Sequence, residues 1–229
     1  MPESTIRANG QPPAAASTAD PTPNPAVHSA APFRFGAVIL AAGASTRMGT
    51  PKQLLPLQGR PLLNRVVDAA LASPAWPVVV VLGANADRIR PTLARLPVLI
   101  AENPAWAEGM AASLRAGIAT LRQFSRGLDA AVVALCDQPA FSVDTIAQLV
   151  AAQRATGRSI VAARYAGRNG APALFLRQHF PTLVSLTGEE GARSLLNDDA
   201  SLVATVDLPQ LACDLDTPAD YSAAQASSP

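Results

Sequence analysis

Two cations stand in a small-residue loop that follows an apolar run. The stretch AVILAAGASTRMGTPKQLL, Ala37 to Leu55, carries Gly43, then Arg47, then Lys52. Glycine and small residues let backbone N–H groups approach an anion, and a guanidinium and an ammonium add cationic reach. The loop therefore fits a di- or triphosphate. The same residues also fit a tight turn with two solvated charges. Lys52 is the only lysine beside 17 arginines. That count points to a required point charge at this position, although a neutral accident would give it too.

Carboxylates that can complete such a site follow later apolar runs. A triphosphate calls for Mg2+, which takes one or two carboxylates together with phosphate and water. Asp137 comes directly after AAVVALC. Asp214 and Asp216 alternate along an extended segment, so both can face one pocket. Each acid also has a purely structural role open to it: Asp137-Gln138-Pro139 as a turn, Asp216 before Thr217-Pro218 as a helix cap. Cys136 and Cys213 immediately precede the acids. If the acids face a cleft, the cysteines face away, as buried small hydrophobes. His28 and His179 have no ligand-like partners and receive no catalytic role.

These groups need elements to hold them. Gly36–Ala41, Pro77–Leu82, Pro97–Ala101 and Ala130–Leu135 read as buried strands. Pro61–Ser73, Asp87–Ala94, Trp106–Phe124 and Ser142–Arg154 read as helices, the last capped by Ser142. Continuous apolar strands separated by helices imply a parallel sheet covered on both faces. Ligands of such sheets lie beyond the carboxyl ends of the strands, which is where the Gly43 loop and Asp137 stand. In the second half, Ser159–Tyr165 and Ala171–Leu176 read as strands around a GRNG turn. A helix fits Glu189–Leu196, a strand Ser201–Leu208 and a last helix Pro218–Ala224.

Composition removes several classes. Net charge is +1, charged residues make up 15% of the 229 and aromatics only 4%. There is no basic stripe, so neither a nucleic-acid surface nor a membrane surface is expected. Two cysteines do not make a disulfide framework, and a cytoplasmic setting is expected. The loop has neither GxxxxGK[ST] nor GxGxxG, which sets it apart from P-loop ATPases and from dinucleotide-binding folds. Residues 1–34, rich in Pro, Ala, Ser and Thr, read as a disordered tail ahead of one domain over 35–226.

The segment LAAGASTRMGTPKQLLPLQGRPLL resembles the signature of the MobA-like nucleotidyltransferases, and within them the molybdenum cofactor cytidylyltransferase group. The resemblance continues through NPAWAEGMAASLRAGI (Asn103 to Ile118), CDQP (Cys136 to Pro139), GRNGAPALF (Gly167 to Phe175), GEEGARSLL (Gly188 to Leu196) and DLDTPADY (Asp214 to Tyr221), and covers Phe35 to about Ala224. It implies a three-layer, Rossmann-like α/β nucleotidyltransferase fold with a mostly parallel central sheet. It also implies cytidylyl transfer from CTP to the terminal phosphate of molybdenum-molybdopterin, with Mg2+ as cofactor and pyrophosphate as the second product. The recipient of that product would be a molybdenum hydroxylase or its insertion chaperone. By the same resemblance, Arg47, Lys52 and Asp137 are catalytic. Leu40, Ala41, Ala42, Gly43, Gly83, Asn103 and Ser113 join Arg47 and Lys52 around the nucleotide. Gly170, Pro172 and Arg193 meet the acceptor, and Asp137 with Asp214 and Asp216 holds the metal. The Ala42 methyl would narrow the base pocket against a purine, a modest steric effect. Trp106 and Met110 read as core. Ala171 stands where close relatives often carry His, and Cys136 where glycine is usual. The rival readings are guanylyl or other nucleotidyl transfer to a phosphorylated metabolite, and a non-catalytic cofactor-binding chaperone.

Overall fold

A computed structural model describes residues 32–189, 191–197 and 201–226. Most of the tail assigned to residues 1–34 thus lies outside the described residues, as do His28 and Glu190. Phe33 packs against the core, and the Arg34 amide donates to Asp129 at 2.8 Å.

Seven strands form one sheet. In chain order these are β1 (Phe35–Ala41), β4 (Val78–Leu82), β5 (Leu99–Glu102), β6 (Ala130–Leu135), β7 (Ile160–Tyr165), β8 (Arg168–Leu176) and β9 (Val203–Asp207). A separate small hairpin is made by β2 (Pro56–Leu57) and β3 (Arg60–Pro61). The spatial order is β5-β4-β1-β6-β8-β7-β9. The sheet is mixed but largely parallel: only the β6–β8 and β8–β7 pairings are antiparallel. The exception has a local cause. Ala166 and Gly167, both with positive φ (47° and 74°), close a tight turn between β7 and β8, and a two-residue link can only join antiparallel strands. The turn is thus Ala166–Gly167, and Arg168, Asn169 and Gly170 of the expected GRNG turn already belong to β8.

The helices are α1 (Leu62–Leu71), α2 (Ala86–Leu93), α3 (Met110–Phe124), α4 (Val143–Thr156), α5 (Phe180–Leu183), α6 (Arg193–Asn197) and α7 (Pro218–Ala226). They cover both sheet faces. One apolar layer joins Ile39, Val80 and Val132 to α1 and α4. The other joins Val38, Val81 and Val133 to α3. The alternation follows from neighbouring strand residues facing opposite ways. Ser142 caps α4 as expected, accepting from the Thr145 amide at 3.2 Å. The helix expected from Trp106 breaks at Gly109 (φ 106°): Trp106–Glu108 is a single 3-10 turn and α3 begins at Met110. Among the described residues, no helix is long and apolar enough to cross a membrane.

Candidate functional site

The carboxyl ends of β1, β4 and β6 share one rim, and the Gly43 loop leaves it from β1. Two polar side chains shape that loop. Gln53 is fully buried, and its Nε2 donates to the carbonyls of Ala41 (2.9 Å) and Gly43 (3.0 Å). Ser45 Oγ donates to Gln53 Oε1 at 3.3 Å and accepts from the Lys52 amide at 3.1 Å. This clasp folds the loop back so that Lys52 turns over the rim. Neither Ser45 nor Gln53 was assigned to the site from sequence. The available signal was a glutamine directly after the only lysine.

Lys52 Nζ donates to Asp137 Oδ2 at 2.6 Å and to Asp216 Oδ1 at 2.9 Å, and Arg47 Nη2 reaches Asp216 Oδ2 at 2.8 Å. Arg168 Nη2 lies 3.8 Å from Asp214 Oδ2. Arg47, Lys52, Asp137, Asp214 and Asp216 therefore belong to one cluster, in which three cations meet three acids. The C-terminal acids arrive there because Leu215 between them is fully buried against Leu57 and Leu62, and its amide donates to the Asp137 carbonyl at 3.1 Å. The capping role open to Asp216 falls elsewhere. Asp220 accepts from the Thr217 amide at 2.8 Å and Thr217 Oγ1 accepts from the Asp220 amide at 3.3 Å, a reciprocal cap that starts α7 at Pro218.

The electrostatics are uneven. Burial works against the charge of Lys52, but Asp137 and Asp216 outweigh it and its pKa is raised. The hydrogen bond from Lys52 holds the Asp216 carboxyl below the usual carboxylate range. Asp214 goes the other way, pushed up to about 6 by burial and by the neighbouring Asp137 charge, against a smaller opposing pull from Arg168. Asp137 Oδ1, Gln138 Oε1 and Asp214 Oδ1 are buried and accept no hydrogen bond.

Among the described residues, no three His, Cys, Asp or Glu side chains are grouped closely enough to hold a metal unaided. The unpartnered oxygens of Asp137 and Asp214 nevertheless fit a Mg2+ ion that draws its remaining ligands from nucleotide phosphates and water.

Around this centre, Leu40, Ala41 and Ala42 are buried and Gly43 is exposed. A Cβ on Gly43 would meet no protein atom within 4 Å, so its lack of a side chain is not demanded by packing and leaves room for a ligand. Gly83 is the opposite case: a Cβ there would lie 2.6 Å from the Ala42 carbonyl oxygen and 2.7 Å from Trp106 Cβ. The Ala42 methyl thus packs under Gly83. Asn103 and Ser113 are both buried and bond each other, Asn103 Nδ2 donating to Ser113 Oγ at 3.0 Å. They pin β5 to α3.

Among the residues expected at the acceptor, a Cβ on Gly170 would strike the Tyr165 hydroxyl at 2.6 Å, and Pro172 is buried in β8. Gln138 Nε2 and Tyr165 Oη both donate to the Ala171 carbonyl, at 2.9 and 2.8 Å, tying β8 to the residue after Asp137. Arg193 opens α6 with its side chain exposed.

Three expectations are corrected. Trp106 and Met110 are 38% and 44% exposed, because the break at Gly109 turns both outward. Cys213 is exposed, since the 3-10 turn over Pro209–Ala212 buries Leu211 and leaves the next residue at the surface. Cys136 is buried as expected, and burial pushes its thiol up to about 12, so it is no thiolate ligand. His179 is internally bonded to Ser159 at 2.8 Å.

A largely parallel sheet with a cationic loop and facing carboxylates on its carboxyl rim is the architecture of α/β nucleotidyltransferases. The chain belongs to the MobA-like NTP transferase domain family, whose domain matches residues 37–208. Its reaction class is nucleotidyl transfer. The chain is 36% identical over 179 residues to nicotine blue oxidoreductase of Paenarthrobacter nicotinovorans, covering 74% of this chain and 85% of that protein. A homologue of Mycobacterium tuberculosis Rv0371c from Mycobacterium sp. strain JC1 superposes with a TM-score of 0.74 at 31% identity, covering 85% of this chain and 96% of that one. Rv0371c of M. tuberculosis H37Rv, crystallised as a complex with manganese, gives 0.70 at 27% identity, covering 85% and 100%.

Proposed function

We propose that the protein transfers the cytidylyl group of CTP to the terminal phosphate of molybdenum-loaded molybdopterin. The observation that carries this reading is the junction of Lys52 with Asp137 and Asp216 beside an open Gly43 loop. The LAAG sequence of that loop supports a cytidine donor, and the ordered series of motifs from Asn103 to Tyr221 supports the pterin acceptor. The manganese complex of Rv0371c supports a divalent cation as cofactor.

In the proposed reaction an acceptor phosphate oxygen attacks the α-phosphorus of CTP. A new P–O bond forms, the bond to the β-phosphate bridging oxygen breaks, and pyrophosphate leaves with that electron pair. The nucleophile is already an anion, so no general base is needed. Alignment and charge neutralisation do the work. Lys52, held protonated, and Arg47 stand where the triphosphate enters. Phosphate competes with Asp137 and Asp216 for these two cations. A Mg2+ ion bound there would supply charge neutralisation to the triphosphate and the leaving pyrophosphate. Asp137 and Asp214 would hold that ion; Asn103, Ser113 and Gly83 hold the frame on which the nucleotide lies. Gly170, Pro172 and Arg193 are assigned to the acceptor side, and a molybdenum hydroxylase or its insertion chaperone is the recipient of the product.

The test is pyrophosphate release with CTP, GTP and ATP, each with molybdenum-loaded molybdopterin, with and without Mg2+. Release with GTP or ATP alone would replace the donor. Tight binding without release would favour a chaperone. The oxidoreductase relative adds one arm, NAD(P)H oxidation with no nucleotide triphosphate present. The missing GxGxxG pattern predicts none.

A further inference from the structure

The end of the sheet opposite the Lys52 cluster is basic. There the chain enters β1, β4, β6 and β7 and leaves β8. Asp129 laces three of these segments together. Its amide donates to the Arg34 carbonyl at 2.7 Å, its carboxylate accepts from the Arg34 amide at 2.8 Å, and its carbonyl accepts from the Arg177 amide at 2.8 Å. The Leu176 amide donates to the Ser159 carbonyl at 2.9 Å, which brings Arg158 alongside. Helix α4 ends here too, with the Arg154 guanidinium 5.8 Å over the Phe33 ring. Arg34, Arg126, Arg154, Arg158 and Arg177 are scattered in the sequence and meet in the fold as one exposed belt across the strand ends.

Among the described residues, none of the five makes an ion pair. Three are held in place by the backbone instead. Arg177 Nη2 donates to the Arg126 carbonyl and Arg158 Nη1 to the Ser201 carbonyl. A Cβ on Gly127 would lie 2.9 Å from Arg34 Nη2, so that guanidinium rests on the glycine. In the connections at this end, residues 33–34, 72–77, 94–98, 125–129, 157–159, 177–179 and 201–202, Asp129 is the single acid. Two large aromatic side chains stand beside the belt. Trp76 is 65% exposed, and its amide donates to the Phe35 carbonyl at 2.8 Å. Phe124 is 59% exposed in the last turn of α3, two residues before Arg126. Fixed guanidinium forks fit carboxylates. Exposed Trp, Phe and Arg, with one acid and no lysine, is the composition of a protein–protein interface. From β4 to β7 the belt crosses four strand spacings, about 19 Å, which suits the centre of one side of a standard interface, about 800 Å². A duplex would use the arginines alone, and a bilayer binds through a continuous amphipathic face that separate strand ends do not supply.

We propose that this end docks a partner protein through a carboxylate-rich face with an apolar spot beside it. Partner carboxylates pair with Arg126, Arg177 and their neighbours, and Trp76 and Phe124 take the apolar spot. The surface lies at the opposite end from the Lys52 cluster. Docking therefore leaves the Gly43 loop open and does not depend on the nucleotidyl-transfer reading.

The test follows backbone amide NMR shifts of the full chain titrated with a glutamate-rich peptide carrying leucine, and with its glutamine counterpart. Duplex DNA and phosphatidylserine vesicles are parallel probes. The expected result is saturable binding of the glutamate peptide, with shifts at residues 124–129 and 176–178 and none at residues 43–52. Arg126→Glu should lower that affinity roughly tenfold or more, and Phe124→Ala should lower it too, with CTP affinity unchanged in both. Arg154→Glu repeats the test from a second element, and matching melting temperatures confirm that the variants are folded. Equal binding of the glutamine peptide, shifts centred on Lys52, or unchanged affinity in Arg126→Glu and Arg154→Glu overturns the proposal. So does a wild-type chain that binds no glutamate peptide, or that binds DNA or vesicles more tightly through the same arginines. A chain that binds the peptide at this end but no CTP would keep the docking surface and remove the cytidylyl reading.

Discussion

Lys52 Nζ lies 2.6 Å from an Asp137 carboxylate oxygen, although 85 residues separate the two in the chain. The contact ties the loop after β1 to the end of β6. Adjacent parallel strands deliver both residues to one rim, and the buried Gln53 turns the loop so that they meet. Asp216 shares the same ammonium and takes a second cation, Arg47, at 2.8 Å.

That geometry makes Lys52 structural as well as chemical. Its side chain is only 14% exposed. Lys52→Ala would leave Asp137 buried without a counter-charge and should cost roughly 1–3 kcal/mol of stability. The second substitution Asp137→Asn, placed on Lys52→Ala, should restore part of that loss, because it removes the stranded charge. Denaturant midpoints of the single and double variants measure the coupling. Simple additivity would show that the pair does not interact.

Asp214 should make the fold less stable as pH rises. Its carboxyl is raised from 3.8 to about 6, so between those values the folded chain holds a proton that the unfolded chain has released. Stability from this group is present below about 4 and is lost as pH climbs through about 6. Asp214→Asn should therefore raise the melting temperature at pH 7.5 and change it little at pH 4. The sign is opposite for Asp216, whose lowered pKa contributes stability above the ordinary carboxylate value and loses it on acidification. A melting temperature for Asp214→Asn that falls at pH 7.5 would contradict the assignment.

Two glycines near the loop should behave differently when changed to alanine. Gly43→Ala places a methyl in open space. Its melting temperature should stay within about 2 °C of wild type while nucleotide affinity drops, since the methyl lies where phosphate approaches. Gly83→Ala drives a methyl into the Ala42 carbonyl oxygen and should destabilise by roughly 1–3 kcal/mol. Thermal melts paired with CTP titration separate the two effects.

Gln53→Leu should loosen the loop without touching any charge. Two carbonyls, those of Ala41 and Gly43, lose their donor, at a cost of about 1–3 kcal/mol. CTP affinity should fall because Lys52 is no longer presented over the rim. Unchanged affinity in a destabilised variant would mean that the clasp serves stability alone.

Much of this was readable in the sequence, and the failures share a cause. The strands Gly36–Ala41 and Ala130–Leu135 announce themselves as apolar runs closed by loop residues, and both fall where expected. The loop cations and the three acids carry their chemistry in their types and positions. What periodicity does not encode is the backbone change at a single residue. Gly109 breaks a helix that the apolar pattern would carry back to Trp106, so Trp106 and Met110 face outward. The β2–β3 hairpin is too short to leave a pattern. The turn at Ala166–Gly167 slips ahead of the more obvious Gly-Arg-Asn-Gly. Gln53, Asn103 and Ser113 are buried polar groups whose partners lie in other segments or turns, and a linear reading assigns no such pairs.

The most direct measurement is pyrophosphate release from CTP with molybdenum-loaded molybdopterin, compared among wild type, Lys52→Ala and Asp137→Ala, each confirmed folded by circular dichroism. The account predicts Mg2+-dependent release by the wild-type protein and a loss of about 100-fold or more in both variants. Near-normal release by either folded variant would contradict it.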